Sequence, residues 1–185
     1  MANYMDMSIS LSKAIFTTSD KGAYLLHSWF SSSKSTQNRV LKEYIYLKYS
    51  QAVLFLHAYA HEHPEQKQFV FECLEEVDEL LDRAFYTDMF MKCTLDEARS
   101  RTFFYMEKIK PESSSPLCAG FIDAIGIESI MLNNVSLLEV PEVVNYANNY
   151  VLSALKTKGS SKNGGCLSTL ACMIAIAVGL IALVI

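Results

Sequence analysis

From Leu167 to Ile185 the sequence reads LSTLACMIAIAVGLIALVI, with no charged residue, and this stretch limits what the chain can be more than any other. At about 1.5 Å per residue a helix of that length spans roughly 28 Å, close to the ~30 Å hydrocarbon thickness of a bilayer. The chain ends inside the run, which leads to the expectation of one C-terminal transmembrane helix, residues 167–185, with everything before it on one side. Lys156, Lys158 and Lys162 precede the run and no charge follows it. The positive-inside rule therefore places the preceding domain in the cytosol. The expected organisation is a cytosol-facing helical domain at 1–155, a basic, small-residue linker at 156–166 and an anchor at 167–185. In a eukaryotic cell this pattern suits an endomembrane, because mitochondrial outer-membrane tails favour basic residues after the span. In a bacterium it suits the inner membrane. Inside the run, Ala171, Ala175 and Gly179 recur every four residues on one helical face, a spacing that lets two spans approach closely. Self-association of the anchor into a homo-oligomer is expected from that face.

Charge removes one class of partner. The whole chain carries −4, and residues 1–155 hold 13 basic against 20 acidic groups, so nucleic acid is not an expected partner. The five cysteines are odd in number, form no CxxC pair and include Cys172 within the apolar run. They do not describe a disulfide framework, and a reducing compartment fits them. The first residues lack a basic stretch followed by an unbroken apolar one, so no secretory signal is expected.

Apolar periodicity before the anchor is helical throughout. Ser19 or Asp20 is placed to cap a short helix through Tyr24, Leu26 and Trp29, after a first short helix around Ile9–Phe16. SSSKSTQN at 31–38 reads as a polar loop into a long helix from about Arg39 to His63, whose apolar stripe is too wide for a surface helix. Pro64 suits a first-turn position. From there to about Phe85 a wet face of Glu72, Glu75, Glu76, Asp78, Glu79 and Asp82 alternates at helical spacing with Val70, Cys73, Val77, Leu81 and Phe85. Thr94-Leu-Asp-Glu97 matches a capping box. Pro111 ends the helix that it opens. Ser115-Pro116 starts another, running through Phe121, Ile122 and Ile125 and as far as Leu132, in which Gly120 and Gly126 each cost about 1 kcal/mol relative to alanine if they lie in the interior. Pro141 opens the last helix before the lysines. No strand alternation or internal repeat is visible, so the fold class expected is all-α, a single helical bundle followed by one transmembrane helix. The prolines at 111, 116 and 141 exclude a continuous heptad helix running into the membrane.

Two constellations carry chemistry. His57 and His61, four apart on one helix face, with His63 beside them, can supply metal ligands, and Glu62 and Glu65 lie close in sequence. The alternative is that these imidazoles simply sit at a helix C-terminus, where they complement its dipole. The segment Tyr86-Thr-Asp-Met89-Phe90-Met91 is unusually apolar for a connection between helices, and Tyr86, Met89, Phe90 and Met91 are the expected partner surface. The acidic face of the preceding helix can serve a basic partner or only solubility. No nucleophile elbow, phosphate loop or paired Glu-x-x-His motif is present, and no cofactor is implied. The reading that follows is a tail-anchored membrane protein for which no reaction can be named. Its helical domain works as an adaptor, scaffold or regulator through an unidentified protein partner. The competing reading is a membrane-bound metal-binding protein or enzyme built on His57, His61 and His63.

Overall fold

A computed structural model describes residues 4–29, 34–88, 91–108, 116–126 and 140–156. Helices α1 (Tyr4–Phe16), α2 (Lys21–Trp29), α3 (Lys34–Glu62), α4 (Lys67–Thr87), α5 (Leu95–Lys108), α6 (Pro116–Ile125) and α7 (Val140–Lys156) follow in chain order, with a 3₁₀ turn at Pro64–Gln66 between α3 and α4. Among the described residues there is no strand, and the fold is an all-α bundle. No described helix is long and apolar enough to cross a membrane. The anchor expected at 167–185, and with it the seam of Ala171, Ala175 and Gly179, lies outside the described residues.

The bundle is built around α3. Its 29 residues make a rod of about 43 Å, and each of the other six α-helices packs against it. Between Val40 and Ala52 every residue except Lys42 is buried, so α3 has no wet face along that stretch. Two apolar clusters meet on it. One joins α1, α3 and α4 through Leu11, Ile15, Ile45, Leu56, Val77 and Phe85. The other gathers α2, α5 and α6 around Leu26, Trp29, Tyr44, Tyr105 and Phe121. Helix α7 serves both, with Val143 and Ala147 in the second cluster and Val151 and Leu155 in the first.

Local chemistry sets most of the boundaries. Asp20 caps α2 by accepting a hydrogen bond from the Ala23 amide at 3.0 Å, as a first-turn acceptor should. Gly126, at φ 65°, closes α6 in the left-handed conformation and donates back to Ile122, a common helix stop. Two expectations need correction. The polar segment before α3 is not loop throughout, because α3 already begins at Lys34 and takes in Ser35–Asn38; packing of the helix as a whole outweighs the weak propensity of its first residues. Pro64 opens a 3₁₀ turn and not α4 itself, which starts three residues later. Gly120 is a requirement and not only a cost. A Cβ there would lie 2.9 Å from a ring carbon of Tyr105, so glycine allows α6 to reach α5.

Candidate functional site

A buried tyrosine needs a partner for its hydroxyl, and for Tyr44, Tyr46, Tyr49 and Tyr105 that partner is a carboxylate also held by a cation. Tyr44 donates to Asp20 Oδ1 at 2.8 Å, while Lys48 Nζ sits 3.1 Å from Asp20 Oδ2. Tyr46 donates to Glu97 Oε2 at 2.5 Å, which also binds Lys42 Nζ. Tyr49 donates to Asp78 Oδ1 at 2.8 Å, and Arg99 holds the other oxygen at 2.7 Å. Tyr105 donates to Glu43 Oε1 at 3.0 Å, with Arg101 Nε 3.0 Å from Oε2. Each of the four triads ties α3 to another part of the chain: the segment before α2, α4, and α5 twice. The tyrosines at 44, 46 and 49 fan around the helix because successive residues turn by about 100°. Three hydroxyls at those positions can all be met only if α3 is surrounded.

Burial sets the ionisation of these groups. It pulls the Lys48 ammonium down to about 8, against the pull of Asp20; the lysine side chain is fully enclosed, donates also to the Thr17 carbonyl, and lies 4.7 Å and 5.5 Å from the ring centres of Tyr44 and Tyr150. Burial likewise raises the phenols of Tyr44, Tyr46, Tyr49 and Tyr105, and the neighbouring carboxylates add to the effect. Glu43 is raised by burial despite Arg101 and Tyr105. At Glu97 burial also opposes ionisation, but the bonds from Lys42 and Tyr46 outweigh it and the carboxyl is lowered.

One triad shapes the surface that the sequence singled out. Thr94 Oγ1 accepts from the Glu97 amide at 3.2 Å, half of the expected capping box. The return half is replaced: the Thr94 amide donates to Tyr46 Oη at 3.0 Å, and Tyr46 donates in turn to the Glu97 carboxylate. A phenol from α3 is thus inserted into the box. Lys42 also donates to the Lys92 carbonyl at 3.1 Å, and Lys92 adopts φ 52°, a left-handed conformation that costs a non-glycine residue roughly 1 kcal/mol or more. Residues 92–94 are therefore clamped from below. Beside them opens a groove of ≈ 480 Å³ between the end of α4 and the start of α5. Its buried members are Phe85 and Cys93, and Tyr86 on its rim is 92 % exposed. Phe85 is itself fixed against the rings of Phe16 and Tyr46. Burial pushes the Cys93 thiol up to about 12, so the thiol in the groove stays protonated at neutral pH and packs as an apolar group. A second hollow of ≈ 310 Å³, lined by Glu75, Asp78, Glu79, Asp82, Leu95 and Arg99, continues the furrow, with Asp82 common to both.

Of the expected partner surface, Tyr86 is exposed and Met91 is half-buried against both core clusters; Met89 and Phe90 lie outside the described residues. The histidines do not converge. His57 packs edge-on against Phe71, His61 is exposed, and His63 stacks on Tyr59 with Nδ1 3.3 Å from Glu65. Among the described residues no three His, Cys, Asp or Glu side chains come together to hold a metal ion. The triads, by contrast, were not anticipated, since tyrosines at helical spacing read as ordinary apolar positions. Their available signal was the YIYLKY run at 44–49, where three phenols and a lysine crowd a stripe that is apolar on every side. No family model, curated protein or solved structure matches the chain.

Proposed function

We propose that this protein is a helical adaptor tethered to a membrane by its C-terminal segment, and that it meets its protein partner at the outer end of the α4–α5 pair. The tether rests on one observation, the uncharged run at 167–185 after Lys156, Lys158 and Lys162, whose length and flanks suit a single span. The contact end of the reading is supported by the groove next to Tyr86. A tyrosine exposed at 92 % beside a hollow with a buried aromatic floor is the kind of surface that binding partners use, because aromatic anchors supply much contact area for little conformational entropy. The anchor seam of Ala171, Ala175 and Gly179 adds the proposal that two copies associate within the membrane. In cells, the full chain should pellet with membranes and resist alkaline carbonate, whereas a chain without 167–185 should be released. Retention of the shortened chain in the carbonate-resistant fraction would refute the tether.

A further inference from the structure

The furrow between α4 and α5 has a charge that identifies its occupant. Residues 64–97 hold ten acidic and three basic groups, a net −7, while the remainder of 1–155 is balanced at ten of each. That surplus lies on α4, the turns that flank it and the first turn of α5. Within the furrow the two arginines are already committed: Arg83 lies 2.9 Å from Glu79, and Arg99 lies 2.7 Å from Asp78. Glu75 and Asp82 are exposed and make no ion pair among the described residues. Their carboxylates line the furrow on the way to the apolar end at Phe85, Tyr86 and Cys93.

The geometry points to a basic amphipathic helix from another protein as the partner, with one or two large apolar side chains seated on Phe85 and Cys93 and with lysines or arginines set against Asp82 and Glu75. This proposal rests on the adaptor reading and names the chemistry of its partner. The volume agrees, since ≈ 480 Å³ holds a few side chains and not a whole helix, which leaves the rest of the ligand along the open acidic hollow. From Glu75 to Thr87 α4 runs about 18 Å, or roughly twelve residues of a partner helix laid beside it. Apolar anchors at i, i+3 or i+4 and i+7 on such a helix put flanking cations within reach of both carboxylates. Opposite charge would speed the encounter, and the apolar end would set the register.

The test uses the full chain in nanodiscs of neutral lipid and a labelled peptide of about sixteen residues, with leucines at i, i+3, i+4 and i+7 and lysines on both flanks of that stripe. Signal from empty nanodiscs is subtracted. Two control peptides replace the lysines by glutamates or the leucines by serines. The expected result is binding of the lysine–leucine peptide that weakens with added salt, and is at least about tenfold weaker for either control and for Glu75→Lys/Asp82→Lys. Tyr86→Ala should weaken it while leaving the circular dichroism unchanged. Equal binding by the charge-reversed variant, or by the serine peptide, would overturn the proposal. Two further outcomes would also overturn it by assigning the furrow elsewhere: competition by a peptide of residues 156–170 of this chain, and a dimer of the detergent-solubilised chain that is lost in Glu75→Lys/Asp82→Lys. Failure of the chain to co-elute with nanodiscs counts against the tether and not against the furrow; the binding series is then run on the same chain without lipid.

Discussion

Helices α3 and α4 are joined by a single 3₁₀ turn, yet they solve the problem of carrying polar residues in opposite ways. Along α4 the buried residues Val70, Cys73, Val77, Leu81 and Phe85 form one stripe, and acids occupy the wet face. Water solvates most of those charges, so each contributes little to stability; Asp78, held between Tyr49 and Arg99, is the exception. Along α3 the chain buries Glu43, Lys48, Ser50 and Gln51 together with its tyrosines, and the protein itself must satisfy them. Ser50 meets Thr102 at 3.1 Å and Gln51 Nε2 donates to the Val144 carbonyl at 3.4 Å, while Gln51 Oε1 is buried without a partner among the described residues. A polar group enclosed in a bundle is strongly tied to its partner, because an abandoned partner keeps its full desolvation cost. The same residue types therefore matter far more in one helix than in the other.

The largest expected effect tests the enclosed side of this contrast. Lys48→Met should destabilise the fold by about 3–5 kcal/mol, since it leaves Asp20 buried without its cation. Adding Asp20→Asn should recover part of the loss. Thermal unfolding followed by circular dichroism measures both, and a shift of less than about 1 kcal/mol for Lys48→Met would mean that α3 is not enclosed at this point.

Alkaline pH should reach the enclosed groups next. Lys48 is lowered to about 8 from its ordinary value of 10.5, so between those values the unfolded chain binds more protons at this residue and stability from this group rises with pH. Phenols and thiols act in the reverse sense. The raised Tyr44, Tyr46, Tyr49, Tyr105, Cys73 and Cys93 stabilise fully below their ordinary values of 10 and 9, and that contribution is lost as pH climbs through and above them. Stability should therefore reach a shallow maximum between about pH 8 and 9 and then fall. Lys48→Met should lose the rise and keep the fall. A fall that already begins below pH 8 in the parent protein would contradict this assignment.

Smaller still is Tyr46→Phe, which removes both the acceptor of the Thr94 amide and the donor to Glu97. A cost of about 1–3 kcal/mol is expected, together with faster amide exchange at Thr94. If instead Glu97 closes the ordinary capping box in the variant, the loss will shrink toward zero. The smallest effect belongs to α4: Glu75→Gln should change stability by no more than about 0.5 kcal/mol, and a larger loss would show that the outer face of α4 is not simply solvated.

The contrast also explains what could be read from the residues alone. Helix α4 was legible because one wet face imposes the 3.6-residue period on the sequence; so were the Asp20 cap, the start of α5 at Thr94 and the Pro116 start of α6, since each is a local signal. In α3 the enclosing helices erase the period, and Glu43 and Lys48 look like surface residues until Tyr105, Arg101 and Asp20 arrive from 28 to 62 positions away. Distance along the chain also hid the groove: its floor needs Phe85 and Cys93 brought together and supported by Tyr46. The segment around Tyr86 was visible as an anomaly of composition. Its acidic extension was visible too, but only the furrow shared through Asp82 joins the two into one surface.

The place of α1 has a consequence in time. Its apolar side packs against α4 and α7 as well as α3, yet α7 begins only at Val140. At about 5–20 residues per second of synthesis, roughly 6–25 s separate the end of α1 from the first residue of α7. Throughout that interval Leu11, Ile15 and their neighbours lack part of their final cover, so α1 must wait for α7 before its docking is finished. A nascent chain stalled before residue 140 should bind chaperones through its N-terminus, and extension through α7 should release them.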